Sequence, residues 1–218
     1  MWLFNSSVGR KVVMSITGAS LVLFLLFHAS MNLVAIFSEE GYNMICEFLG
    51  ANWYALVGTV GLAGLAVIHI LFAFILSVQN YRARGNARYE VTDRQESVEW
   101  ASKNMLVLGF IILGGICVHL IHFWSKMQLV EIMGQLPESG VELIRQTFSQ
   151  WYNVLIYLVW FGAIWFHLTH GIWSSMHTLG WNNNIWMPRI KCIANIFSTL
   201  IVLMFASVVI YFFVISLM

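Results

Sequence analysis

Histidine is the residue type in this 218-residue chain best suited to chemistry, and all seven copies sit in apolar surroundings. His28, His69, His119, His122, His167, His170 and His177 each fall within or at the end of a stretch free of Asp, Glu, Lys and Arg. Ionisable side chains in such stretches are uncommon and generally face inward, towards a partner. For a single histidine the ordinary partner is a hydrogen-bonding group on the next helix. Four successive stretches that each contribute a histidine, beside a fifth that contributes none, ask for more. Neutral imidazole is a common metal ligand. A structural zinc ion takes four protein ligands at one point, whereas porphyrin iron takes four nitrogens from the macrocycle and two axial ligands from the protein. The three cysteines, Cys46, Cys117 and Cys192, lie far apart without CxxC spacing and read as small buried apolar residues.

Which chemistry applies depends on the elements that carry the rings. The chain is 60% apolar and only 10% charged, with two prolines. Soluble domains carry about 25% charged residues, so the solvent here is mostly lipid. A membrane crossing needs roughly 20 apolar residues, and five stretches qualify: 12–38, 52–81, 104–125, 150–188 and 192–218. The spans expected within them are about 12–38, 53–81, 104–126, 152–178 and 192–217, in a single domain covering 1–218. Gly180-Trp181-Asn182-Asn183-Asn184 reads as a loop after the fourth span. Arg10 and Lys11 precede an apolar run too long for a signal peptide, so the first span is expected to be retained. Trp53, Trp100, Trp124, Trp151 and Trp181 fall near span ends, as interfacial tryptophans do. The fold class is thus an all-α membrane protein, a five-helix bundle.

Basic residues orient the bundle. Arg10, Lys11, Arg82, Arg84, Arg88, Arg94, Lys103, Arg189 and Lys191 fall on one side, and only Lys126 and Arg145 on the other. Positive charge stays inside, which places the N-terminus inside and the C-terminus outside, with Glu39, Glu40 and Glu47 on an outer loop. The polar 82–103 loop reads as a short solvated hairpin suited to docking a partner. Gly18 in the first span, Gly58, Gly61 and Gly64 in the second, and Gly109, Gly114 and Gly115 in the third are expected to let helices approach closely. The same missing volume would also admit a flat macrocycle.

Depth then sorts the histidines. At about 1.5 Å of rise per residue, His28 and His119 lie roughly 10–15 Å below the outer ends of their spans. His69 and His167 lie roughly 24–26 Å below. Each level draws two members from helices running in the same direction. Two facing imidazoles at each of two depths suit two six-coordinate b-type haems, which carry electrons and leave no open position for oxygen. His122 and His170 follow their neighbours by three residues and share a helix face with them, so either could replace its neighbour as ligand. The cytochromes b of bc-type complexes draw both pairs from the same two helices, at a spacing this chain lacks.

The residues around these histidines resemble those of a known family. The first span reads Thr17-Gly18-Ala19, then His28 followed four residues later by Asn32. The second offers Ile68-His69, and the third has Gly109 ten residues before His119. The fourth reads Phe166-His167-Leu168-Thr169-His170-Gly171-Ile172-Trp173. Over essentially its whole length the chain resembles the cytochrome b subunit of succinate dehydrogenase and fumarate reductase, in its single-chain, five-helix, dihaem form. In that family's fourth-span motif the ligand precedes the glycine by four, which selects His167 over His170. The resemblance implies His28 and His119 as ligands of an outer haem, and His69 and His167 as ligands of an inner one. One position departs from the pattern: where some members carry a glutamate two residues before the fourth-span ligand, this chain has Trp165.

The same resemblance implies the rest of the functional expectation. The chain would anchor a flavoprotein subunit and an iron–sulfur subunit at the inner face of the cell's inner membrane. It would pass electrons between them and a quinone, menaquinone by the habit of the dihaem form, with no succinate site of its own and no nucleic-acid partner. Haem propionates are anions, and Lys11, Ser15 and Lys103 lie at suitable depth for the inner pair. The nearest alternative is the membrane cytochrome b of a hydrogenase or formate dehydrogenase. A cofactor-free transporter is further off, since such proteins commonly place Asp or Glu inside their spans, and these spans hold neither.

Overall fold

The computed structural model describes residues 6–50, 52–84 and 100–218, and among these every regular element is helical. In chain order they are α1 (Ser7–Phe37), α2 (Glu39–Phe48), α3 (Trp53–Arg84), α4 (Trp100–Lys103) and α5 (Met105–His119). A π-helical turn, Leu120–Trp124, continues α5, and α6 (Gln128–Ile132), α7 (Gly140–Phe148), α8 (Trp151–Thr178) and α9 (Trp186–Ser216) follow. Among the described residues five helices are long and apolar enough to cross a membrane: α1, α3, α5 with its π turn, α8 and α9. Most of the 82–103 loop lies outside the described residues.

The helix ends follow from local chemistry. Ser6 caps α1 by accepting a hydrogen bond from the Gly9 N–H, so Arg10 and Lys11 lie within the helix and not before it. Ser38 ends α1 in extended backbone and then caps α2 through the Gly41 N–H. After α8, Gly180 takes a φ of 96°, and the Trp181 N–H reaches back to the Met176 carbonyl, closing the helix with a left-handed residue that favours glycine. The fifth span begins at Trp186, earlier than expected. Asn183 accepts from the Ile185 and Trp186 N–H groups, and Pro188 sits in the first turn, where its missing N–H costs nothing.

Packing centres on α8, which lies against α9, α1 and α5, while α1 also carries α3. Tyr157, Phe161, Ile164 and Leu168 of α8 interlock with Val208, Val209 and Phe212 of α9. Between lipid-embedded helices the stabilisation is close van der Waals contact, not expulsion of water. α3 is held mainly along α1 and barely meets α5. The two ends differ in charge. Arg10, Lys11, Arg82, Lys103, Arg189 and Lys191 mark a basic end; Glu39, Glu40, Glu47, Glu131, Glu138 and Glu142 mark an acidic one.

Two amphipathic helices that the sequence pattern did not reveal, α2 and α7, cover the acidic end. α7 buries Val141, Leu143, Ile144 and Phe148, and its Arg145 pairs with Glu39 of α2. Gln128 ties the same end together. Its Oε1 accepts from Thr59 Oγ1 at 2.9 Å and from Trp124 Nε1 at 2.8 Å, and its Nε2 donates to the Gly50 carbonyl at 3.1 Å. Each buried group left without a partner costs about 1–3 kcal/mol. Gln128→Leu is therefore expected to lower the unfolding midpoint in detergent, and so is Gln128→Glu, whose carboxylate would face the Gly50 carbonyl with no proton to donate. Equal midpoints in all three chains would show that this network carries no stability.

Five of the seven glycines expected at close helix contacts depart from that expectation, and Gly18 and Gly115 meet it. A Cβ added at Gly58, Gly61, Gly64, Gly109 or Gly114 would meet nothing within 4 Å, so these do not mark close helix contacts. Two others do: Gly18 against the His69 ring, and Gly115 against the Trp160 indole.

Candidate functional site

Four spans bring four histidines together in two pairs. His28 of α1 and His119 of α5 have ring centroids 5.8 Å apart, with planes crossed at 86°. His69 of α3 and His167 of α8 are 6.3 Å apart, crossed at 65°. The rings meet in the combinations that helix depth implies. His122 turns elsewhere: it stacks on Tyr157 at 6.0 Å and 15°, and its Nδ1 is hydrogen-bonded with the Tyr157 hydroxyl at 3.3 Å. The His170 ring lies edge-on to Trp173 at 4.8 Å, and His177 is exposed at the end of α8.

The His28–His119 pair sits in an aromatic frame. Phe24 stacks on His28 at 5.3 Å, and Phe205 of α9 lies tilted to the same ring at 5.8 Å. Phe123 and Trp160 flank His119 at 5.2 and 5.8 Å. The Trp160 indole fills the notch at Gly115 and donates to the Ile112 carbonyl at 3.1 Å, fixing α8 against α5 beside His119. The π turn begins at the residue after His119, and such turns commonly re-aim side chains at functional sites.

Hydrogen bonds reach both α1-linked rings. Asn32 donates to the His28 carbonyl at 2.8 Å, with its amide nitrogen 3.5 Å from His28 Nε2, and accepts from the Tyr42 hydroxyl at 3.2 Å. Burial pushes the Tyr42 phenol well above its ordinary pKa, which keeps it protonated as the donor. At the other level, Thr17 Oγ1 lies 3.2 Å from His69 Nδ1. Asn32, four residues beyond His28, was legible as a helical neighbour; Tyr42, Tyr157 and Trp160 carry no local signal of their roles.

The donor set can be tested against a bis-imidazole group. His119 Nδ1 and His167 Nδ1 are buried without a hydrogen-bond partner, one in each pair. With no partner fixing their tautomer, either nitrogen of these two rings can face a metal. Two metal–imidazole bonds of about 2.0–2.1 Å plus the ring radii would separate centroids by about 6 Å, near the observed spacings. Gly171, one turn from His167, borders open space, and α3 touches α5 only sparsely. Among the described residues no group of three or more His, Cys, Asp or Glu side chains converges, so any metal here would take most of its ligands from elsewhere. The residues present fit axial ligation of a flat macrocycle.

Of the groups expected beside the inner pair, Ser15 is buried, whereas Lys11 and Lys103 are exposed at the basic end. Arg10, read from the sequence only as an orienting charge, buries its Nε without a hydrogen-bond partner. Trp165 donates its indole N–H to Thr199 Oγ1 at 2.9 Å, so it ties α8 to α9 where some members of the resembled family have a carboxylate. No family model, curated protein or solved structure matches the chain.

Proposed function

We propose that this chain is the membrane-anchoring, dihaem cytochrome b subunit of a succinate:quinone oxidoreductase, a succinate dehydrogenase or fumarate reductase. The observation that carries the reading is the pair of crossed imidazole couples, His28 with His119 and His69 with His167, at two depths of one bundle. In this reading the basic end is the inner face of the cytoplasmic membrane, where a flavoprotein and an iron–sulfur subunit dock. The N-terminus is then inside and the C-terminus outside. Haem, when bound, takes up and releases single electrons.

The chain's own residues do the rest. His28, His119, His69 and His167 would hold the two haems, and the aromatic frame of Phe24, Phe123, Trp160 and Phe205 would keep water from the outer pair. Ser15 and the cations of the basic end offer donors and positive charge to propionates and partner subunits. α2 and α7 cover the outer end. The quinone, menaquinone by analogy, reacts in the bilayer, and the succinate site belongs to the flavoprotein.

Purification in mild detergent tests this. Two non-covalent b-type haems per chain by pyridine haemochrome are expected, together with co-purifying flavoprotein and iron–sulfur subunits whose footprint protects the basic end. One haem or none would overturn the dihaem reading. Two haems alongside a hydrogenase or formate dehydrogenase subunit would keep the cytochrome and change the complex.

A further inference from the structure

α1 presents a short stripe to His69. Thr17 and Gly18 lie side by side on it, and together they hold one edge of the imidazole. Thr17 Oγ1 is 3.2 Å from Nδ1, and a Cβ at Gly18 would stand 3.2 Å from Cε1 and 3.6 Å from Nδ1. Glycine at 18 is what lets the ring come this close. The threonine hydroxyl has a single proton, and two backbone carbonyls compete for it: Val13 at 2.9 Å and Met14 at 3.1 Å. With that proton directed at the helix backbone, Thr17 Oγ1 has lone pairs left for a proton on Nδ1; the Met14 carbonyl also accepts from the His69 ring.

We propose that Thr17 is the positioning residue of the inner pair: it accepts the Nδ1–H of His69 and so leaves Nε2 as that ring's lone-pair nitrogen for a metal. The proposal rests on the dihaem reading. Its partner ring is held differently, since His167 Nδ1 is buried without a hydrogen-bond partner. The two axial positions of one level are therefore unequal. His69 arrives with its tautomer and orientation set by α1, and His167 by packing alone. A hydrogen bond to the far nitrogen of an imidazole makes the ring a stronger donor to a metal, and stronger donation favours the ferric over the ferrous state. The Thr17 contact thus holds the inner potential below what the bare pair would show.

Thr17→Val keeps the shape of the side chain and removes the acceptor; Thr17→Ser keeps the acceptor. Loss of such a second partner costs about 10–100-fold in metal affinity. If about ten-fold of this falls on the ferric form alone, the inner midpoint rises by about 59 mV. Redox titration of the purified complex, followed by optical and paramagnetic resonance spectra, is the readout. Expected are a raised inner midpoint and altered inner-haem spectrum in Thr17→Val, an unchanged outer midpoint, and a return to the native values in Thr17→Ser. Two haems with native midpoints and spectra in Thr17→Val would overturn the proposal and leave the dihaem reading intact. A native chain that binds no haem would instead remove the reading beneath it. Should Thr17→Val lose the inner haem altogether, rescue of both content and midpoint by Thr17→Ser supports the hydrogen bond, and failure of Thr17→Ser to restore either overturns it.

Discussion

His69→Ala and His167→Ala chains are each expected to retain one haem of two, and so are His28→Ala and His119→Ala chains, with the opposite haem lost. The four rings are paired across the bundle at 5.8 and 6.3 Å, so removing either member of a couple takes away half of the protein's hold on one iron. Nearby histidines cannot substitute without rearrangement. His122 is committed to Tyr157 by stacking and by the 3.3 Å hydrogen bond, and the His170 ring packs on Trp173. His122→Ala and His170→Ala are therefore expected to leave both haems in place. Haem content by pyridine haemochrome, with redox titration to identify which component has gone, separates the cases. If His170→Ala empties the inner level and His167→Ala does not, the helix α8 assignment is wrong by one turn.

The second large effect concerns the quinone. In the proposed topology, a two-haem path has a use only if the quinone reacts far from the iron–sulfur chain, beside the outer couple. His28→Ala is accordingly expected to reduce quinone-linked turnover to background while dye-linked succinate oxidation or fumarate reduction stays at the native rate. The acidic end fits release of protons from a quinol, with Glu39, Glu40 and Glu47 of the α2 region close to water. Native quinone-linked turnover in a His28→Ala complex that has lost its outer haem would place the reaction at the inner face.

The five spans were legible because lipid imposes a plain rule: about twenty apolar residues without charge. The histidine pairing was legible for a related reason, since helical rise converts sequence position into depth. What the pattern could not show depends on side chains meeting across helices. Gly115 and Trp160 are 45 positions apart, and nothing local says that the indole fills that notch. Gly58, Gly61 and Gly64 look like a packing face and border open space. α2 and α7 are ten and nine residues long. Periods that short are hard to tell from loop, and it is the Asn43 contacts with Ser139 and the Val141 N–H that hold them together. The π turn after His119 likewise belongs to the packing around Trp124 and Gln128.

The one-sided attachment of α3 bears on how such a bundle is assembled. Elements with few partners part from a structure at the least cost, and α3 leans on α1 while α8 is hemmed in by three neighbours. The loosest seam thus runs along α3, where it faces α5 and α8. The acidic end, by contrast, is stoppered by α2 and α7. A broad, flat, greasy guest would therefore load sideways from the bilayer, and docking of α3 onto His167 through its own His69 would be the step that latches the seam shut.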